Sequence, residues 1–241
     1  MTRAAPATKS RQRGGRRPAG ETRALLLQAC IELIRAEGLT ALTTHRVAKA
    51  AGISQPGFYN HFKNLDALLE VAVTDVLTGM ADRQSRMRRE AMQTPQTAAA
   101  MLQPAPTRAL LERMLDVFVS EPTFADLYLR YRFDPTVLGG AIARVARKVE
   151  DDMIADNWAL SLIGGTRPEH YDRVALYTEQ LNALYYRTGE QLLQGRYDRE
   201  RILESLTSAN VALHRELVEE LMRLQPEWPP VEGNSPGRPR T

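Results

Sequence analysis

From Glu21 to Glu37 the apolar residues Leu26, Leu27, Cys30, Ile31, Leu33 and Ile34 fall on one side of a 3.6-residue wheel, and Gln28, Glu32 and Arg35 fall opposite. Gly38 follows as a stop. This is the first predicted helix, with Cys30 on its buried face. The same period recurs along the chain between breaks at Gly and Pro, while alternating β-branched runs are scarce, so the predicted fold class is all-α. Further helices are expected over 107–121, 123–133, 136–162, 169–194 and 198–224. The last two are long and carry matching apolar rows, Val174, Tyr177, Leu181, Leu184, Tyr185 and Leu192 on one, Ile202, Leu206, Leu213, Leu217, Leu221 and Leu224 on the other. Such a pair can form half of a four-helix interface with a second copy, or it can pack on its own domain.

The stretch TTHRVAKAAGISQPGFYNHFKNLDALL, residues 43–69, is punctuated differently. Thr44 is placed to cap a short helix running to Ala51, whose inward Val47, Ala48 and Ala51 let another helix approach closely. Gly52 permits the positive φ of a tight turn, and Ile53 plugs the corner. Ser54 is the expected N-cap of the next helix, and Pro56 fits its first turn because the N–H groups there lack intrahelical partners. Phe58 and Phe62 face inward. The outward face of this helix, about 55–61, is then Gln55, Gly57, Tyr59, Asn60 and His61. Two helices at this spacing match a helix-turn-helix, whose second helix enters the major groove, where a side-chain amide suits an adenine edge. A solvated polar corner has the same spacing.

Residue identities narrow the choice. The segment resembles the DNA-binding domain of the TetR family of bacterial transcriptional regulators. That family's pattern appears here as Thr44, Val47-Ala48, Ala51-Gly52-Ile53-Ser54, Pro56-Gly57, Phe58-Tyr59 and His61-Phe62, within a likeness that covers 21–76. The resemblance implies base contacts from Gln55, Pro56 and Gly57 with Asn60 nearby, and phosphate contacts from Thr44, Tyr59, His61 and Lys63. It places His45 where the family often reads a base. One departure is that many members carry Lys before an acid at the start of helix four, where this chain has Leu65 before Asp66. The resemblance also implies dimerisation through the last two helices, with two reading helices set about 34–36 Å apart on a palindromic operator.

Charge sharpens this picture. The 241 residues carry 32 Lys plus Arg and 29 Asp plus Glu, a net of +3. Over 1–66 there are 11 basic and 4 acidic residues, whereas 67–241 holds 21 and 25. A +7 end thus joins a −4 body, the electrostatic footprint of a DNA-binding end. The first twenty residues contain Arg3, Lys9, Arg11, Arg13, Arg16 and Arg17 with no acid, and read as a disordered basic arm. From Pro226 the chain is rich in Pro and Gly and reads as a flexible tail. The expected organisation is therefore an arm over 1–20, a helix-turn-helix domain over 21–66, a helical effector-binding and dimerisation domain over 67–225, and a tail over 226–241.

The single cysteine, Cys30, excludes an intramolecular disulfide and zinc sites built on cysteine pairs. No apolar run reaches bilayer length and no signal-peptide core follows the N-terminal arginines, so a cytoplasmic protein without a membrane partner is expected. Six of the eight methionines lie from Met80 to Met153 among aromatic residues, composition suited either to an adaptable apolar cavity or to a plain core. Met114, Phe118, Tyr128, Tyr131, Met153 and Trp158 are the expected ligand-binding residues, Phe133 stands among them in sequence, and Arg130, Arg132, Arg144 and Arg147 are candidates for an acidic head group. No catalytic residue, metal ligand or cofactor is expected: glycine-rich phosphate loop, HExxH pair and GxSxG elbow are all missing, and His45, His61, His170 and His214 are scattered. The function read from the sequence is a ligand-responsive transcriptional regulator that binds double-stranded DNA as a homodimer, a repressor released by a small hydrophobic effector. An activator or ligand-independent binder of the same fold is the alternative, and a helical enzyme stands far behind.

Overall fold

The computed structural model describes residues 18–93, 99–159 and 168–224, and these are helical throughout, with no strand among them. The described helices are α1 (Ala19–Glu37), α2 (Thr44–Ala50), α3 (Gln55–Tyr59), α4 (Leu65–Ala91), α5 (Pro104–Ser120), α6 (Pro122–Tyr131), α7 (Val137–Ala159), α8 (Tyr171–Leu193) and α9 (Arg199–Leu224), with 3-10 turns at Leu39–Ala41 and Pro168–His170. Helix α1 begins at Ala19, so the last residues assigned to the basic arm are helical; the rest of the arm and the tail lie outside the described residues. So does Leu162, the expected end of α7.

Proline sets the starts of α5 and α6, where it sits in the first turn without losing an intrahelical bond. Glycine sets two stops that need a left-handed residue, Gly52 at φ 68° and Gly195 at φ 61°. Helix α4 is capped by Asn64, whose side chain accepts from the Ala67 N–H at 2.9 Å, and it then runs without a break to Ala91. The boundary expected between 66 and 67 therefore falls in its first turn.

Helix α4 joins the two ends of the molecule. Its first half packs on α1, and its length packs on α7, α5 and α6, while α8 and α9 close the body against α5 and α7. Leu26, Cys30 and Ile34 of α1 reach one apolar core that continues through Leu68, Val73 and Leu77 of α4 to Phe118, Tyr128 and Tyr186. The Arg35 guanidinium holds the Glu121 carboxylate through two hydrogen bonds, 2.7 and 3.0 Å, across the gap between α1 and the α5–α6 corner. A second cluster, centred on Trp158, Val174, Tyr177, Leu217 and Leu221, packs α7, α8 and α9 together.

The apolar rows that suggested a four-helix interface face inward. Val174, Tyr177, Leu181, Tyr185, Ile202, Leu206, Leu217 and Leu221 are buried inside the chain itself. The exposed large apolar residues of α8 and α9 are Leu176 and Met222, which lie outside those rows, and Leu224, the last member of the α9 row, which does not turn inward with the others. Helical period identified the pair but not the face, because a row packed on its own body has the same spacing as one packed on a partner.

Candidate nucleic-acid interface and body cavity

Helix α2 is capped by Thr43 rather than Thr44. Thr43 has extended backbone, φ −140° and ψ 155°, and its hydroxyl accepts from the Arg46 N–H at 3.1 Å, so Thr44 is already the first helical residue. That frees the Thr44 hydroxyl to accept from Gln55 Nε2 at 3.5 Å, which ties the starts of the two helices together. Between them Ala51 and Gly52 turn the chain, and the Ile53 N–H returns to the Ala48 carbonyl at 2.9 Å. Ser54 caps α3 as expected, accepting from the Gly57 N–H at 3.2 Å.

Helix α3 spans five residues and ends at Tyr59, two short of the expected His61. Its orientation is set from beneath. Phe58 is fully buried and Phe62 nearly so, their ring centroids 6.0 Å apart, and the Arg23 guanidinium lies 4.9 Å over the Phe62 ring. On the opposite side Gln55, Pro56, Tyr59, Asn60 and Lys63 are exposed, and Gly57 and His61 are half-buried. His45 is exposed on α2, and Thr44 is half-buried beside Gln55. The nine residues expected to meet DNA thus lie on α2, α3 and the turn leading to α4. Tyr59 is 52% exposed with its ring edge-on to Phe58 at 5.4 Å, unusual solvent contact for a tyrosine resting on a core ring. Arg46, by contrast, is engaged by Glu37 at 2.5 Å and by the Ala41 carbonyl at 2.8 Å.

Toward the far end of α4 a cavity of about 60 Å³ lies between α4, α5, α7, α8 and α9. Met92, Met101, Leu111, Met114, Met153 and Leu181 supply apolar wall. Of the six expected ligand-binding residues, Met114 and Met153 are here. Phe118 and Tyr128 line a smaller space of about 20 Å³ beside Tyr186. Tyr131 packs on the main core from its edge, and Trp158 stands edge-on to Tyr171, 5.1 Å between centroids, in the second cluster. Phe133 is 85% exposed.

The polar lining was not anticipated from the sequence: Arg88, Thr107, Asn157, Tyr185, Asn210 and His214. Most of these groups are already partnered. Tyr185 donates to the Met114 carbonyl at 2.8 Å and accepts from Gln84 Nε2 at 2.6 Å. Thr107 donates to the Met101 carbonyl, Asn157 donates to the Thr178 hydroxyl, and His214 Nδ1 lies 3.1 Å from Asn210 Oδ1. Burial pushes the His214 pKa down to about 4, so its imidazole is neutral near pH 7. Arg88 is buried, and desolvation works against its charge more strongly than Asp156 supports it. The four arginines proposed for an acidic head lie elsewhere: Arg130 pairs with Asp126, Arg144 with Glu70, Arg132 lies over Tyr128 and Phe133, and Arg147 is exposed. A readable signal for Arg88 does exist. Leu77, Met80, Gln84 and Arg88 recur at helical spacing, so the two polar residues continue an apolar row into the core.

Cys30 is buried with its thiol pKa pushed up to about 12 by burial, which makes it a core side chain. Among the described residues no cluster of His, Cys, Asp or Glu is arranged to hold a metal. No helix among them is long and apolar enough to cross a membrane.

Residues 26–72 match the family described as bacterial regulatory proteins, tetR family. The tetracycline repressor protein class C of Escherichia coli is 39% identical over 56 residues, 23% of this chain and 26% of that protein. The HTH-type transcriptional regulator BetI 1 of Chromohalobacter salexigens is 36% identical over 70 residues, 29% of this chain and 35% of that one. The match therefore spans about a quarter to a third of these relatives' length. A solved tetR-family transcriptional regulator from Streptomyces coelicolor superposes with a TM-score of 0.64 at 21% identity, covering 88% of this chain and 92% of its own. A protein of unknown function from Rhodococcus superposes at 0.63 with 18% identity, covering 86% and 100%. At these identities the two structures speak for the fold.

Proposed function

We propose that this TetR-family transcriptional regulator is a homodimeric repressor, bound to a palindromic operator through α2 and α3 and released when a small apolar effector enters the body. The observation that carries the reading is the path of α4. Its first turns pack on the reading head, and Arg88 and Met92, at its far end, border the cavity. Material entering the cavity bears on α4, and α4 bears on α1, which packs on α2 and through it on α3. A release mechanism needs only that the effector favour one arrangement of the heads by roughly 1–3 kcal/mol.

At the DNA, Gln55 at the start of α3 is the base-reading side chain, its amide presented beside Thr44 with Pro56, Gly57, Asn60 and His45 around it. Tyr59, His61, Thr44 and Lys63 hold phosphates. Two copies joined through the outer faces of α8 and α9 place two such heads on one face of the duplex. The domain limits that follow are a reading head through the first turn of α4 and an effector-binding body beyond it.

Fluorescence anisotropy with a labelled palindrome from upstream of the gene, against a scrambled duplex, tests the reading. The palindrome should bind far more tightly, and affinity should fall steeply with salt, about 0.9 log units per log unit of salt for each phosphate contacted. Equal affinity for both duplexes sinks it. Transcripts of the bound genes should rise on deletion of this gene; a fall identifies an activator instead.

A further inference from the structure

We propose that the body cavity takes a small monocarboxylate, its apolar tail against Met92, Met101, Leu111 and Met153 and its carboxylate on the Arg88 guanidinium. The proposal rests on the ligand-responsive reading above and names the chemical class of the ligand.

Three features of the cavity carry it. Arg88 is the one charged residue in its described lining, and no acid stands with it. The remaining polar lining is largely satisfied, through the Tyr185–Gln84–Met114 bonds, Thr107 on Met101, Asn157 on Thr178 and His214 with Asn210. Arg88 is the exception. Its closest described carboxylate oxygen is Asp156 Oδ2 at 3.8 Å, too far for a hydrogen bond, while the same carboxylate takes Arg89 Nε at 2.8 Å and the Ser85 hydroxyl at 3.3 Å. Two guanidiniums share one acid, and the buried one holds the weaker claim.

Arg88 stands in the wall between the cavity and a smaller groove, where Lys148 is paired with Asp152. The buried guanidinium carries five donors in a planar fork and retains its positive charge. A cationic ligand is repelled by it. A neutral apolar ligand that seals the cavity leaves its donors without water or partner, which is costly for a charged group. A carboxylate matches the fork with two parallel charge-assisted bonds. The space of about 60 Å³ holds a few water-sized groups, which fits a short chain or one ring rather than a long acyl chain.

Calorimetric titration of the full chain, without DNA, with hexanoate and benzoate against hexanamide and benzamide decides it. Each acid should bind at least tenfold more tightly than its amide, and Arg88→Met should remove that preference while Arg88→Lys keeps part of it. Circular dichroism establishes that the variants are folded; if Arg88→Met is not, the acid-to-amide ratio on the unaltered chain and on Arg88→Lys carries the test. Failure of both acids to bind, equal binding of acid and amide, or an unchanged preference in folded Arg88→Met overturns the proposal. Adding hexanoate to the operator complex separates the two readings. Binding without release of DNA upholds the ligand class and refutes release, whereas release by a different effector with no binding of acids does the reverse.

Discussion

A methyl group at residue 57 has no room. Built on Gly57, a Cβ would lie 2.8 Å from Ile53 Cγ2 and 3.1 Å from the Ser54 hydroxyl, the same oxygen that caps α3 by accepting the Gly57 N–H. Gly57 therefore has a packing role beside the DNA contact proposed for it. Gly57→Ala should push Ile53 and the cap apart, lower stability by about 1–2 kcal/mol, and weaken operator binding. An unchanged melting temperature would show that the corner yields freely. His214 gives a second prediction, on acid stability. Its folded pKa is depressed to about 4, below the ordinary value near 6.5, so the unfolded chain takes up the proton first as pH falls. The stabilisation from keeping this ring neutral is complete above pH 6.5 and is lost progressively as pH falls toward 4, to a total of roughly 3 kcal/mol. His214→Phe keeps a ring against Tyr177, whose centroid is 5.2 Å away, and removes the titration. Denaturant melts across that window should give a shallower pH slope for the variant; parallel slopes would show that other groups carry the acid sensitivity.

At the scale of elements, α3 is too short to exist by itself. A five-residue helix lies far below the length at which propagation offsets nucleation, so the Ser54 cap and the two phenylalanines beneath it determine its place. Phe58→Ala removes a fully buried ring and should cost about 3–5 kcal/mol, with loss of sequence-specific DNA binding. Retained operator affinity in that variant would mean that contacts to α2 alone hold the reading helix. This dependence also explains why the head was legible in the sequence: cap, Pro, positive-φ Gly and inward aromatics are local signals compressed into 43–62, and what escaped them was the choice between Thr43 and Thr44 as cap and the end of α3 at Tyr59. The start of α6 was nearly as plain, expected at 123 and found at Pro122, whereas α5 begins at Pro104, three residues before the expected 107. The cavity was not legible in the same way. Arg88, Asn157, Tyr185 and His214 come from four helices, and nothing in their separate neighbourhoods records that they converge. Of the residues that methionine and aromatic content suggested, Met114 and Met153 line this cavity, Phe118 and Tyr128 line the smaller space beside Tyr186, and Tyr131 and Trp158 pack elsewhere.

At the scale of the whole molecule, the inward turn of the α8 and α9 rows constrains how the proposed dimer would be built. Tyr177, Tyr185, Leu206 and Leu217 are unavailable, because they already close the core. The ion pair between Arg173 and Glu220 ties the start of α8 to the end of α9, and Leu176, 57% exposed, on the first helix and Met222 and Leu224 on the second are left open. Large apolar side chains this open, on two adjacent long helices, are what the proposed dimer would set against the second copy. A charge at Leu176 should therefore separate the copies while leaving each fold intact, since Leu176 contributes little to its own core. Leu176→Asp is expected to reduce the mass in light scattering from twice 27.0 kDa to 27.0 kDa with little change in the circular-dichroism spectrum. It should also weaken binding to a full palindrome much more than to a single half-site, because two heads on one rigid body bind the second half-site at a high effective concentration. A variant that stays dimeric would move the interface off this face. One that becomes monomeric yet binds the palindrome with undiminished affinity would break the link between the α8–α9 face and the spacing of the two reading helices.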